Sequence, residues 1–197
     1  MEINELQDIL KAQYPLLEAV EIRSEDLVFE ERVRLKCFQC SNYRKKWTCP
    51  GNLTQLDFRK IISEYEHLAV VSLKRSAVSN QESGVSGQQS AVSNQQSGVS
   101  NQESAVWYRE AGNELHRAML YLETEMMKRN NALAQSFIGG SCELCEGGCP
   151  ADKCAHPEQA RVPWDATGCN VVRTLANIGI HVDFTGKDIC RYGLFVW

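Results

Sequence analysis

Several features that would define other protein classes are missing from this chain of 197 residues. It has no apolar run of the ~18 residues that a transmembrane helix needs, so we expect no contact with the membrane interior. Its opening, Met-Glu-Ile-Asn-Glu-Leu, has neither the basic region nor the apolar core of a secretory signal. Its net charge is −4, whereas binding to nucleic-acid phosphates needs a basic surface. These absences predict a cytoplasmic protein with no nucleic-acid partner and no membrane partner.

The motifs of common enzymes are missing as well. The sequence has no glycine-rich phosphate loop, no Ser/His/Asp set that could form a triad, and no carboxylate pair with a defined partner. An enzyme in which a thiolate or a metal cluster acts directly on a substrate is left open. It ranks behind the two binding functions considered below, and no catalytic residue is proposed.

Cysteine, by contrast, is abundant, with nine in the chain. Four of them share the segment 142–154, here called the C-terminal cysteine loop, with the spacing C-x2-C-x3-C-x4-C: Cys142, Cys145, Cys149 and Cys154. Gly147 and Gly148 allow tight turns because glycine adopts positive φ, and Pro150 stiffens the exit of the loop. We expect these four thiols to converge on one metal centre.

Three chemistries compete for this loop. Disulfides need an oxidising compartment, which the missing secretory signal argues against. Four thiolates also make a closed zinc site, but zinc modules usually present two separated pairs of ligands. A dense cysteine run that ends in a Cys-Pro step is typical of bacterial ferredoxins, which hold 4Fe–4S clusters. An iron–sulfur cluster is therefore favoured, with zinc as the alternative.

A second group of cysteines, Cys37, Cys40 and Cys49, has the spacing C-x2-C-x8-C and again ends in a Cys-Pro step. We call residues 37–49 the N-terminal cysteine loop. A thioredoxin-type dithiol is the rival interpretation, but that motif lies at a helix N-terminus in a βαβ unit. Three thiols need a fourth ligand or leave an open position, and the candidates are Cys190 and Cys169. We favour Cys190, because Cys169 falls in a predicted helix where a small buried thiol is ordinary packing.

The residues between the last two of these cysteines are basic and aromatic. The run 44–46, Arg-Lys-Lys, can offset the negative charge of a thiolate-ligated cluster, dock an acidic partner, or be plainly solvated. Tyr43 and Trp47 are expected to shield the site from water, which would tune a redox potential.

The composition changes abruptly after Arg75. Residues 76–105 repeat a seven-residue unit rich in Ser, Gln and Asn. A period of seven raises the question of a coiled coil, but each unit has no second large aliphatic seam residue and almost no charge. Such a tract cannot bury enough apolar surface to order itself. We predict one metal-binding domain, residues 1–197, interrupted by a disordered low-complexity insertion at 76–105.

Outside the insertion, apolar periodicity predicts helices at 3–12, 56–64, 106–131 and 165–177. It predicts strands at 68–73, 132–138, 180–184 and 192–197, with short β-prone pieces at 27–29 and 33–35. The strand, long helix and strand around the insertion would form a split crossover unit. The predicted fold is α+β (mixed α/β), with a small mixed sheet, flanking helices and cysteine-rich metal-binding loops.

With both cysteine loops in view, the chain resembles the predicted metal-binding proteins grouped as domain of unknown function 2284. The resemblance rests on the two cysteine groups and on Pro157, Arg161 and Gly168, and it covers most of the chain except the repeat. It implies a small cytoplasmic prokaryotic protein whose cysteines bind metal as iron–sulfur, and it supplies no reaction. Pro163-Trp164 and Cys169 depart from the expected family pattern, which leaves a role for Cys169 open.

Two functions follow from these observations. The first is a redox or electron-transfer accessory protein that carries one or two 4Fe–4S clusters and meets a redox partner protein. The second is a zinc-stabilised binding module without redox activity. The metal distinguishes them.

The insertion generates a first prediction. Replacing residues 76–105 with a short Gly/Ser linker should leave the Tm and the metal content nearly unchanged, because the free energy of loop closure grows only logarithmically with loop length. Thermal unfolding and elemental analysis of the two chains measure both quantities. A large fall in either would show that the tract packs against the core.

Overall fold

The structure, a computed structural model, describes residues 1–53, 55–76, 101–182 and 188–197. In these ranges the chain forms four strands: β1 (Leu17–Ile22), β2 (Leu68–Ser76), β3 (Gln135–Phe137) and β4 (Asp188–Val196). The helices of the same ranges are α1 (Ile3–Gln13), α2 (Val33–Phe38), α3 (Phe58–Ile62), α4 (Asn101–Lys128) and α5 (Val171–Asn177). Short 3₁₀ turns occupy Ser24–Asp26, Pro50–Asn52 and Asp165–Thr167.

The strands form one sheet in the order β1-β2-β4-β3. Each described pair is antiparallel, with Leu17 opposite Leu73 and Val70 opposite Leu194. Since β2 and β3 both run antiparallel to β4, they are parallel to each other with β4 between them, and α4 connects them. The predicted split crossover and the α+β class are confirmed. The described sheet itself is antiparallel throughout, not mixed.

Helices α1 and α4 cover one face of the sheet. Alternate residues of β2, Ala69, Val71 and Leu73, meet them there, because successive strand side chains point to opposite faces. The helices contribute fully or almost fully buried side chains: Leu6, Leu10, Leu115, Met119, Leu122 and Met126. Burying a side chain of this size stabilises the fold by roughly 1.5–3 kcal/mol.

The other face is covered by shorter elements. Val70 and Leu194 face α3, α5 and the buried indole of Trp164, which is 1% exposed. Few regular elements cover this face, so irregular segments complete it, among them residues 27–29 and 162–164. Residues 27–29 precede helix α2 and the N-terminal cysteine loop, and residues 162–164 follow the C-terminal cysteine loop.

A buried ion pair fixes the short edge strand β3 to α4. The Arg161 guanidinium donates from Nε to Glu123 Oε1 at 2.8 Å, and the two side chains are only 15% and 12% exposed. The same Glu123 oxygen accepts the main-chain N–H of Ser136 at 2.9 Å and the Ser136 hydroxyl. Removing one partner of such a pair typically costs about 3–5 kcal/mol. Arg161 thereby anchors the chain just beyond the C-terminal cysteine loop.

The predicted elements are found with shifted limits in most cases. The helices at 3–12 and 106–131 correspond to α1 and α4, and the strands at 68–73 and 132–138 correspond to β2 and β3. Helix α4 begins at Asn101, so residues 101–105, predicted as part of the insertion, are helical. The rest of the predicted insertion, residues 77–100, lies outside the described residues, and the linker replacement is best confined to it.

Other predictions need correction. Residues 33–35 are helical in α2, not β-prone, and β1 was not predicted because Glu18 and Glu21 interrupt its apolar alternation. The helix at 165–177 is divided by Gly168, whose φ of +88° ends a 3₁₀ turn before α5 starts. Residues 180–182 form no strand, and 183–187 lie outside the described residues. Strand β4 starts early enough to include Cys190.

None of the helices in the described ranges combines the length and the apolarity that a bilayer span requires.

The close approach of β3 and β4 generates a second prediction. A Cβ on Gly139 would lie 2.3 Å from the main-chain oxygen of Tyr192, so Gly139→Ala must push the edge strand away from β4. We expect the free energy of unfolding, measured by urea denaturation, to fall by about 1–3 kcal/mol.

Gly112→Ala is the matched control. Its Cβ would meet only the flexible end of Arg191, at 3.3 Å, and alanine favours a helix over glycine by about 1 kcal/mol. Equal losses in the two variants would contradict the steric argument.

Candidate metal centre

The N-terminal cysteine loop begins on a helix. Cys37 belongs to α2, and Cys40 follows one turn later, with its N–H donating to the Cys37 carbonyl at 3.1 Å. This helical spacing places both thiols on the same side of the chain. Cys49 is 7% exposed and directly precedes the 3₁₀ turn Pro50–Asn52. The loop therefore returns its third cysteine to the region where the first two lie.

The C-terminal cysteine loop contains no helix or strand. Cys142 is 7% exposed, while Cys145, Cys149 and Cys154 are partly buried. Gly147 and Gly148 have φ values of +82° and +103°, and a Cβ on either would meet no atom within 4 Å. Glycine is thus needed there for its backbone conformation and not for space. Burial and the Cys149 thiol across this turn raise the pKa of the Cys145 thiol.

Lys46 joins the two loops. Its side chain is buried, and its ammonium donates to the Cys142 carbonyl at 2.6 Å and to Glu143 Oε1 at 2.7 Å. The basic run 44–46 was considered for charge compensation, for docking an acidic partner or as plainly solvated. Because Lys46 is buried, it is not plainly solvated. A buried ammonium is costly unless it is paired and hydrogen-bonded, and this one is both.

Further contacts extend this junction on both sides of Lys46. The Trp47 indole N–H donates to the Pro150 carbonyl at 3.0 Å, and the Asn42 amide donates to the Ser141 hydroxyl at 3.3 Å. Trp47 thus lies against the exit of the C-terminal cysteine loop, and its shielding role stays a prediction. Tyr43 instead packs edge-on against Phe38, with ring centroids 5.4 Å apart.

A main-chain N–H acts on a cysteine sulfur in each loop. The Asn42 N–H donates to Cys40 Sγ at 3.4 Å, and the Leu144 N–H lowers the pKa of the Cys142 thiol against the effect of burial. In each loop the donor lies two residues after the first or second cysteine of a C-x2-C pair. Such N–H···S bonds favour the thiolate, which is the form that binds metal.

Without metal, the environment opposes thiolate formation. Burial, with contributions from the Asp165 carboxyl and the Cys40 thiol, raises the pKa of Cys37 to about 11. Burial also raises the pKa values of Cys49 and Cys142. The Lys46 ammonium opposes this increase in both cases without cancelling it. Metal binding must therefore release protons, and a bound cation reverses the local preference.

Asp165 belongs to this site, although the sequence analysis did not identify it. It begins the 3₁₀ turn that follows Trp164, and its charge contributes to raising the pKa values of the Cys37 and Cys49 thiols. Asp165 is an exposed residue that lines a cavity, and desolvation by the surrounding wall raises the pKa of its carboxyl group. The sequence offered one indication of this role, because Asp165 lies between Arg161 and Gly168, two residues on which the family resemblance rests.

The two candidate fourth ligands differ in position: Cys169 borders the same cavity as the three cysteines of the N-terminal cysteine loop, whereas Cys190 is not part of its described lining. Cys190 lies in β4 opposite Lys74, and its thiol contacts Tyr192, whose pKa burial and this contact raise to about 12. Cys169 is fully buried, with its Sγ 3.3 Å from Thr174 Oγ1. The pKa values of the Cys37 and Cys49 thiols are instead influenced by Cys40, Lys46 and Asp165.

A cavity of ≈ 1070 Å³ opens beside the N-terminal cysteine loop. Its wall includes the three cysteines of that loop together with Asp165 and Arg191. From the C-terminal cysteine loop Glu143 reaches the wall, while the four thiols of that loop are not part of its described lining. The incomplete cysteine set thus borders the cavity, whereas the complete set is not part of its described lining.

The donor set fits a thiolate-ligated metal. In the described part of the chain, no three His, Cys, Asp or Glu side chains are already arranged around a single ion. A finished site seldom exists before the metal binds, since binding orders the ligands. Thr48 Oγ1, next to Cys49, is buried with no partner in the described residues, and an orphaned hydroxyl costs about 1–3 kcal/mol. A sulfur acceptor at this site would satisfy it.

An α+β fold that packs two cysteine loops around a buried lysine defines a cysteine-rich metal-binding protein. The chain belongs to the family described as "Predicted metal-binding protein (DUF2284)", whose model matches residues 20–196. The resemblance drawn from the cysteine spacing is therefore confirmed. No match to this chain was found among curated proteins or among solved structures.

The Lys46 junction generates a third prediction. Lys46→Met keeps the length of the side chain but removes the donor to Cys142 and Glu143. We expect the free energy of unfolding to fall by about 1–3 kcal/mol, and the metal content of both loops to fall with it. Chemical denaturation and elemental analysis measure the two effects.

Lys45→Met is the control, because Lys45 is exposed and adjacent in sequence. Exposed substitutions of this kind usually change stability by less than about 0.5 kcal/mol. If both variants behave alike, general charge and not the Lys46 junction governs the loops.

Proposed function

We propose that this protein is a redox or electron-transfer accessory protein that carries 4Fe–4S clusters in its two cysteine loops. One cluster would be held by Cys142, Cys145, Cys149 and Cys154, and a second by Cys37, Cys40 and Cys49 with one further ligand. The observation that carries the proposal is the direct packing of the two loops through Lys46. Adjacent metal centres suit electron transfer, and a redox partner protein would complete the path.

The charges near the site support a cluster. A cluster with thiolate ligands is anionic, and burying an anion requires a compensating cation or hydrogen-bond donors. Lys46 supplies the cation between the two loops, and the Asn42 main-chain N–H supplies a donor to Cys40. Hydrogen bonds to the sulfurs are among the factors that set the reduction potential of such clusters. Thr48, a buried hydroxyl without a partner in the described residues, is a further donor of this kind.

Zinc is the second candidate, and one observation favours it. The C-terminal cysteine loop has no helix or strand, so a tetrahedral ion bound by its four thiolates would supply the stability that regular structure does not. In that case the protein would be a zinc-stabilised binding module, and the junction at Lys46 would serve stability alone.

The identity of the metal is the fourth prediction and the decisive test. Protein purified without oxygen should be brown, should contain iron and acid-labile sulfide in comparable amounts, and should bleach with dithionite. Absorption spectra and iron, sulfide and zinc assays measure this. Colourless protein with stoichiometric zinc would reject the electron-transfer proposal and leave the binding module.

Two cysteine variants assign the loop. Cys145→Ser removes one of four thiols and should eliminate the colour of one cluster and destabilise the fold, since metal binding and folding are coupled. Cys169→Ser changes a buried thiol that contacts Thr174, and should leave the iron content unchanged. The proposal for the C-terminal cysteine loop is rejected if Cys145→Ser retains full iron and sulfide.

A further inference from the structure

We propose that Asp165 is the fourth ligand of the N-terminal cysteine loop, so that this site binds its metal through three sulfurs and one carboxylate oxygen. The inference rests on the proposed function, because it concerns the metal that the loop would hold. It replaces Cys190, the ligand favoured from the sequence.

The position of Asp165 is the first argument. Asp165 lines the same cavity as Cys37, Cys40, Cys49 and Cys169, and the turn that carries it contacts helix α2, to which Cys37 belongs. Besides burial, the charge of Asp165 raises the pKa of the Cys37 thiol, and it raises the pKa of the Cys49 thiol as well.

The second argument is that the turn carrying Asp165 is rigid. The Trp164 N–H donates to the Ile138 carbonyl at 2.8 Å, which ties the turn to the end of β3. The Thr167 hydroxyl donates to the Trp164 carbonyl at 2.6 Å. The Gly168 N–H closes the turn on the Asp165 carbonyl at 3.1 Å. A ligand held on a fixed turn loses little conformational entropy when metal binds.

The third argument is that this turn is tied to the chain that leads into α2 and Cys37. Phe29 forms an isolated antiparallel bridge with Cys169, and the Glu30 N–H donates to the Gly168 carbonyl at 3.0 Å. The Asn170 amide returns a hydrogen bond to Glu30 Oε2 at 2.9 Å. Asp165 and Cys37 therefore hold their relative position through neighbouring main-chain contacts, although they are 128 positions apart in sequence.

The fourth argument is that Asp165 has no competing cation bound to it among the described residues. Arg191 is the nearby candidate, but it donates from Nε at 3.1 Å and from Nη2 at 2.8 Å to the Tyr108 carbonyl. Its guanidinium also stacks 3.3 Å from the centroid of the Tyr108 ring. The main-chain N–H groups of Asp165 and Ala166 lower the pKa of the Asp165 carboxyl group against the effect of burial, and the Ala166 N–H donates to the Pro163 carbonyl at 3.0 Å. Its carboxylate thus retains lone pairs for a metal.

An oxygen ligand would make one metal position different from the others. Carboxylate is a harder donor than thiolate and suits iron–sulfur chemistry less well. The position next to Asp165 would therefore exchange its ligand more readily than the positions bound by cysteine. That position faces the cavity, so molecules that enter the cavity would reach it first.

Three variants of the full chain, purified without oxygen, test the assignment. We expect Asp165→Ala to lose the iron of one site, Asp165→Cys to retain that iron, and Cys190→Ser to match the unaltered protein. Iron and sulfide assays give the content. The electron paramagnetic resonance spectrum of the reduced protein should change in Asp165→Cys, because an oxygen ligand has become sulfur, and should not change in Cys190→Ser.

The outcomes separate the hypotheses. Loss of iron in Cys190→Ser with full iron in Asp165→Ala would assign the ligand to Cys190 and overturn the proposal. Full iron in both variants would also overturn it, because neither side chain would then be required. Retention of iron by Asp165→Cys shows that a loss in Asp165→Ala reflects the missing ligand and not a failure to fold.

A cobalt experiment keeps the test valid if the metal is zinc. Co²⁺ replaces zinc in tetrahedral sites, and its thiolate-to-metal absorption grows with the number of bound sulfurs. Asp165→Cys should then increase this absorption relative to the unaltered protein, while Cys190→Ser should not decrease it. Stoichiometric zinc in the purified protein would reject the electron-transfer function. The assignment of Asp165 would be rejected separately, if the Asp165 variants bind Co²⁺ with unchanged spectra.

Discussion

The buried ammonium of Lys46 is the contact on which the arrangement of both cysteine loops depends. It neutralises Glu143 and binds the carbonyl of a cysteine from the other loop, so it fixes main chain as well as charge. A buried cation can move little, because any displacement from its partners breaks the hydrogen bonds that compensate for its lost hydration. The position of one loop therefore defines that of the other, and the hydrogen bond from Trp47 to Pro150 extends the same junction.

The sheet supplies the framework to which this junction is attached. The C-terminal cysteine loop leaves the edge strand β3 and returns to it through Arg161, whose ion pair with Glu123 also holds Ser136. The N-terminal cysteine loop is attached on the other side, where residues 28–30 are hydrogen-bonded to 168–170 around Asp165. An irregular region rich in cysteine is thus held at its ends by regular structure, and the interior of the region is left for a metal to order.

The sequence was sufficient for the features that are local. The cysteine spacing defined two groups and the family, and apolar periodicity located α1, α4 and β2. What it could not define was which distant side chains meet. Lys46 and Lys45 are equivalent in sequence, and only the packing of Cys142 and Glu143 around one of them distinguishes the two. Asp165 likewise looks like an ordinary helical residue until Gly168 breaks that helix and turns it toward Cys37.

The shared lysine has a consequence for how the protein acquires its metals. Ordering either loop fixes Lys46, and with it the main chain around Cys142 in the other loop. The first metal to bind orders this contact and bears the entropy cost. The second metal then binds to a contact that is already ordered, so it binds more tightly than it would alone. By linkage the advantage is equal in both directions. Loading is then cooperative, and half-loaded chains should be scarce at equilibrium compared with empty and fully loaded ones.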